Sequence, residues 1–138
     1  MGQGFITRRG SNKKETYNIT FTTALNDANN AQPYSDNRSA VKKFDLRAIK
    51  NKFSHIYVSG GANGGDTYHR GIFSILENRF LISCSELNEQ YWMDTNYIYQ
   101  YNFAYLGFEI IDDYLILFVQ GEPKGSITQN HLFKLEFI

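Results

Sequence analysis

Between Tyr97 and Leu106 two kinds of side chain alternate without a break. Tyr97, Tyr99, Tyr101, Phe103 and Tyr105 hold the odd positions, and Ile98, Gln100, Asn102, Ala104 and Leu106 lie between them. A period of two puts successive side chains on opposite faces of an extended backbone, so the run predicts one strand with five aromatic rings on one face. In a helix the same rings would be scattered around the circumference. Gly107 breaks the phase, because Phe108 and Ile110 take even positions. A bulge or bend is expected there.

The same period recurs along the chain. From Thr16 to Thr22, Tyr17, Ile19 and Phe21 face one way and the threonines and Asn18 the other, which predicts a half-buried strand. His55–Val58 and Leu132–Ile138 read as further strands. Asp112-Asp113 is a two-residue turn that would pair Ile110 with Leu115 and Phe108 with Leu117 on one apolar face. Glu77-Asn78 would likewise pair Ile75 with Phe80 and Phe73 with Ile82. Tyr114 to Val119 is continuously apolar, as expected of a strand covered on both sides.

Helix signals are sparse. Ser39 is placed to cap a helix over residues 40–52, with Val41, Phe44, Leu46, Ile49 and Phe53 as its apolar stripe. Ser83 and Glu86 have capping-box spacing, which would open a shorter one from Glu86 to Trp92. Residues 24–38 form a polar loop rich in Asn and Asp. The expected fold is mainly β: an antiparallel, β-sandwich-like domain of seven to eight strands with one short helix.

A chain of 138 residues suits a single domain, here residues 15–138 behind an extended, flexible N-terminal arm over 1–14. The 42% of apolar residues, with eleven Phe and ten Tyr, are enough to build a core. Cys84 is the one cysteine, which excludes an intramolecular disulfide and reads as a small hydrophobe. No apolar run reaches the length of a membrane span. The first residues lack the apolar stretch of a secretory signal, so cytoplasmic synthesis and no membrane contact are expected.

The net charge is zero, which argues against a nucleic-acid partner. Its distribution is uneven: residues 1–52 sum to +6 and residues 53–138 to −6. The basic half folds onto the acidic half, meets the acidic half of another copy or, as a minority reading, touches phosphate.

Chemistry-bearing motifs are few. The glycines between Gly60 and Gly65 lack the Gly-Lys-Ser/Thr of a phosphate loop and read as a flexible turn. His55, His69 and His131 lie in separate elements, whereas a metal site needs three or four convergent ligands. Asp112 and Asp113 are adjacent at a turn tip and point apart. No nucleophile elbow or zinc-protease motif occurs. The expectation is therefore no catalytic residue, no cofactor and no metal. The aromatic ladder has two readings, as core against a second sheet or as a platform for sugar rings or a protein interface. Tyr68, His69, Tyr91 and Trp92 are the candidate ligand-binding residues should the chain be a carbohydrate- or receptor-binding module that meets a cell-surface glycan.

The opening Met1-Gly2-Gln3-Gly4-Phe5-Ile6-Thr7-Arg8-Arg9-Gly10 resembles that of small structural proteins in tail or baseplate modules of phages of Gram-positive bacteria. The resemblance covers about ten residues. It implies a non-enzymatic virion component, made in the host cytoplasm and assembled with itself or with other virion structural proteins. The candidate interface residues are Phe5, Ile6, Arg8 and Arg9 in the arm, and Lys42, Lys43 and Arg47 in the basic segment. Only Phe5 and Ile6 could anchor the arm, so deleting residues 1–14 should preserve cooperative unfolding in urea while weakening assembly. Loss of the cooperative transition would place the arm in the core.

Overall fold

The computed structural model describes residues 16–24, 31–35, 37–62, 67–83, 96–101, 104–121 and 130–138. These form ten strands: β1 (Tyr17–Ala24), β2 (Gln32–Pro33), β3 (Arg38–Asp45), β4 (His55–Ala62), β5 (Thr67–Ser74), β6 (Arg79–Ser83), β7 (Tyr97–Tyr101), β8 (Ala104–Ile111), β9 (Tyr114–Gly121) and β10 (Asn130–Phe137). They make two five-stranded antiparallel sheets, sheet A in the order β1-β10-β4-β5-β6 and sheet B in the order β2-β3-β9-β8-β7. Among the described residues no helix is long and apolar enough to cross a membrane.

The two sheets share one core. Ile56, Val58, Phe73, Phe80, Phe133, Leu135 and Phe137 come from sheet A, and Ile98, Leu106, Phe108, Leu115, Leu117 and Val119 from sheet B. In β4, β8, β9 and β10, which contribute two or three each, these residues are spaced by two, which is how a pleated chain commits one face to the interior. Rings interlock across the gap: Phe108 stands edge-on to Phe133 at 5.9 Å and to Phe80 at 6.2 Å.

Several expectations hold at residue level. Ile19 and Phe21 of β1 pack on the core, and Thr20 and Thr22 are exposed. Across the Asp112-Asp113 turn, Ile110 pairs with Leu115 and Phe108 with Leu117. Residues 115–119 are buried without exception, so β9 is covered on both faces.

Others are corrected. The helix over 40–52 does not form: residues 38–45 are β3, whose pairing runs Asp45 with Tyr114 to Arg38 with Gln120. Ser39, expected as a cap, is a buried strand residue opposite Val119. Only hydrogen-bonded turns over residues 47–52 keep helical character, with the Lys50 and Ile49 amides both donating to the Leu46 carbonyl. Val41, Phe44 and Leu46 still meet the core, but from an extended backbone whose ladder to β9 outweighs local helical preference. With β2, this strand raises the count from eight to ten. The helix expected from Glu86 to Trp92 and the arm over 1–14 lie outside the described residues.

The hairpin between β5 and β6 has another register. Phe73, not Ile75, opposes Phe80, because the turn takes four residues, Ile75–Asn78. A shift in the pairing beyond Phe73 then turns Ile82 outward, where it is 55% exposed. The aromatic ladder is not one strand either. The chain reverses between Tyr101 and Ala104, which pair with each other, so the ladder is divided between β7 and β8. Gly107 is regularly paired with Phe118, and the irregularity falls on β7 between Tyr97 and Tyr99.

Asn78 ties the sheets together at one end. It sits at φ 57°, a left-handed conformation that Asn tolerates. From sheet A its Oδ1 accepts from the Ile110 amide at 2.7 Å, and its Nδ2 donates to the Ile110 carbonyl at 2.9 Å. Asn78→Gly keeps the backbone conformation and loses both bonds, so it should cost about 2 kcal/mol. Asn78→Ala should cost about 1 kcal/mol more, because it adds left-handed strain. Urea unfolding of the two variants separates these contributions, and equal losses would exclude the strain component.

Candidate functional site

Sheet B presents a second apolar cluster on the face turned away from the shared core. Tyr97 of β7 with Ile116 and Phe118 of β9 are buried there, and Tyr34, Ala40, Tyr105, Ile111 and Tyr114 pack around them. Gly107 makes room for Phe118, since a Cβ at that position would lie 2.7 Å from the Phe118 ring and would also meet the Asn96 carbonyl. The two ladder tyrosines whose side chains are described thus belong to the outer face, and Ile98 and Leu106 between them enter the core. Tyr97 and Tyr105 stack on each other, 4.8 Å apart and nearly parallel.

A polar network lies over this cluster. The Arg38 guanidinium covers the Phe118 ring at 4.3 Å. Its Nε donates to Gln120 Oε1 at 2.8 Å and its Nη1 to Glu109 Oε1 at 3.0 Å. Tyr34 donates its hydroxyl to the same Glu109 oxygen at 2.8 Å, and Gln120 Nε2 donates to the Tyr97 hydroxyl at 2.6 Å. The planar fork of arginine suits this position, since it can bind two acceptors in its plane while one face rests on a ring. A shallow cavity of about 400 Å³ lined by Ser35, Asn37, Arg38 and Gln120 opens beside it.

The electrostatics make this network a clamp rather than an acid–base pair. Burial, and then the hydrogen bond to the Glu109 carboxylate, push the Tyr34 phenol above its usual value of 10.0. It stays a proton donor at neutral pH, and Arg38 compensates the Glu109 charge.

A second group of cations lies nearby. Lys43 of β3 places its Nζ 5.3 Å from the centre of the Tyr114 ring, and the Arg47 guanidinium approaches the same ring at 6.0 Å. Arg47 also grips Asp45 through its fork, and these hydrogen bonds hold the exposed Asp45 carboxyl below its ordinary range. Lys43 and Arg47 are thus brought together. Lys42 is half-buried on β3 opposite Leu117, beside the register shift of that strand pair.

The remaining candidates are dispersed. His69 of β5 is fully buried, opposite Gly60. Tyr68 stands opposite Gly61 on the same strand. Tyr91, Trp92, Phe5, Ile6, Arg8 and Arg9 lie outside the described residues. The separated charge is partly joined inside the chain, where Arg38–Glu109 and Lys50–Asp113 link the basic half to the acidic half. Among the described residues no three His, Cys, Asp or Glu side chains converge to hold a metal ion. A separate cavity of about 520 Å³ lies at the end of the body near Asn78, lined by Lys50, Phe53, Ile75, Leu76 and Ile110 among others.

Sequence reasoning missed Tyr34, Arg38, Glu109 and Gln120. One signal was present: Glu109 is a lone carboxylate inside the apolar run from Phe108 to Ile111, and a charge in such a place needs a partner. Comparison with known protein families, characterised proteins and solved structures finds no match.

Tyr34 provides a test by pH. Its phenol ionises at higher pH in the folded than in the unfolded chain, so its contribution to stability is complete below about pH 10 and falls as pH rises above that. Tyr34→Phe should flatten the alkaline limb of the stability–pH curve. Identical limbs would mean that the phenol is not held by Glu109.

Proposed function

We propose that this chain is a non-enzymatic structural protein that acts by assembling with copies of itself or by docking on a neighbouring structural protein. The observation that carries this reading is the outer face of sheet B, where Lys43 and Arg47 flank Tyr114 beside the Arg38 clamp. Arginine and tyrosine over a buried apolar base are the residue types that dominate binding energy at protein interfaces. The polar groups of the clamp bond to one another and hold the surface in shape. Placement in the tail or baseplate of a phage of Gram-positive bacteria rests on the resemblance of residues 1–10, with synthesis in the host cytoplasm and incorporation into the virion.

Reversal of the two exposed cations tests this face. Lys43→Glu with Arg47→Glu should weaken assembly at low salt, and the difference from the unsubstituted protein should shrink as salt screens the charges over about 10 Å at 0.1 M. Thermal unfolding should change little, because the Arg47–Asp45 pair is exposed. Unaltered assembly of the double variant at every salt concentration, measured by light scattering, would remove this face from the interface. Binding of the monomer to a glycan array would favour a carbohydrate- or receptor-binding module instead.

A further inference from the structure

The sheet edges are treated unequally. An edge strand exposes a row of unpaired amides and carbonyls, and proteins blunt such rows with short strands, proline, charge, bulges or covering groups. Edge strand β2 has two residues, one of them Pro33, which has no amide hydrogen. Edge strand β6 has five residues, begins at Arg79 and pairs with a shifted register. Edge strand β7 pairs irregularly, and where it no longer covers β8 two asparagines take its place. Asn96 accepts from the Phe108 amide through its carbonyl and donates to the Phe108 carbonyl through Nδ2, and Asn78 does the same for Ile110 with its side-chain amide.

Edge strand β1 has none of these devices. It runs for eight residues, Tyr17–Ala24, with no charge and no proline, and all eight pair with β10 without a register shift. Among the described residues no strand pairs with its other edge. Its inward residues are incompletely covered, with Tyr17 44% exposed and Ile19 and Phe21 half-buried.

We infer that β1 pairs antiparallel with β1 of a second copy, about a two-fold axis through Thr20, and so joins two five-stranded sheets into one of ten. This rests on the assembly reading and names its partner and its surface. Opposed residues of an antiparallel pair share a face, so β1 can meet itself only in registers that set odd positions against odd. Centred on Thr20, such a register sets Ile19 against Phe21 of the other copy on the inward face, a favourable pairing of branched and aromatic side chains. On the outward face Thr20 meets Thr20 and Asn18 meets Thr22. A charged strand would confront like charges across the axis, whereas this one carries none. The neutral net charge removes long-range repulsion between copies.

The test uses the full chain. Light scattering should find a dimer, and Thr20→Glu should raise its dissociation constant about fivefold, because two carboxylates then face each other across the axis. The fold should tolerate this change, since Thr20 is exposed and pairs with Lys134 within its own sheet. Thr20→Lys should weaken dimerisation similarly, and an equimolar mixture of the two variants should restore it. On a Cys84→Ser background, Thr20→Cys should cross-link to itself under mild oxidation and Asn18→Cys should not. A monomeric protein at millimolar concentration, as when the chain's own residues 1–14 occupy the edge, overturns the pairing and leaves docking on a different structural protein standing. A dimer indifferent to Thr20 but weakened by reversal of Lys43 and Arg47 overturns the pairing and keeps the assembly reading.

Discussion

The body depends on β9. Among the described residues, 115–119 are the one stretch in which five consecutive side chains are buried, and the strand is hydrogen-bonded on both sides, to β3 and to β8. Leu115, Leu117 and Val119 enter the core shared with sheet A, and Ile116 and Phe118 build the outer cluster of sheet B. Full burial of one such side chain contributes about 1.5–3 kcal/mol relative to exposure. A single strand therefore organises both layers of apolar packing. The position of Arg38 follows from it, since the guanidinium lies on Phe118 and reaches Glu109 on the next strand.

The same double coverage explains what could be read in advance. Where one face of a strand is dry and the other wet, alternation identifies the dry face, as at Ile19 and Phe21 in β1. The β8–β9 hairpin was equally legible, because Asp112-Asp113 marks the turn and only one register brings Ile110 and Phe108 against apolar partners. Sheet B carries an apolar cluster on its outer face as well as its share of the core, so the tyrosines of the ladder gave the spacing of the outer face and not that of the core. Val41, Phe44, Leu46 and Ile49 are spaced as a helical stripe and not with a period of two. The pairing of β3 with β9 overrides that pattern, with Val41 at the shift in register between Lys42 and Ala40 and Ile49 in the turns beyond the strand. The clamp was hidden for a related reason. Arg38 and Glu109 are separated by 71 positions, and no local pattern encodes their meeting.

The charge separation along the chain acquires a partly internal meaning. Arg38–Glu109 is shielded by the cluster beneath it, and Lys50 reaches across to both the Asp112 carbonyl and the Asp113 carboxylate. These contacts fasten the turns after β3 to the hairpin tip between β8 and β9. Lys43 and Arg47 remain exposed beside Tyr114, where ion pairs contribute little to stability.

The pairing of β1 with β10 has a consequence for how the chain acquires its shape. Tyr17 pairs with Phe137 and Ala24 with Asn130, so the earliest described strand waits for the latest. Contacts so distant along the chain are slow to form, because a large loop must close before they contribute. During synthesis, the described strands of sheet B have all their described partners before β10 emerges, and β4, β5 and β6 can pair with one another. At that stage β4 still lacks its second partner and, among the described residues, β1 has none. An uncharged segment rich in Thr, Ile, Phe and Tyr is then held open for most of translation, a demand on chaperones set by topology alone.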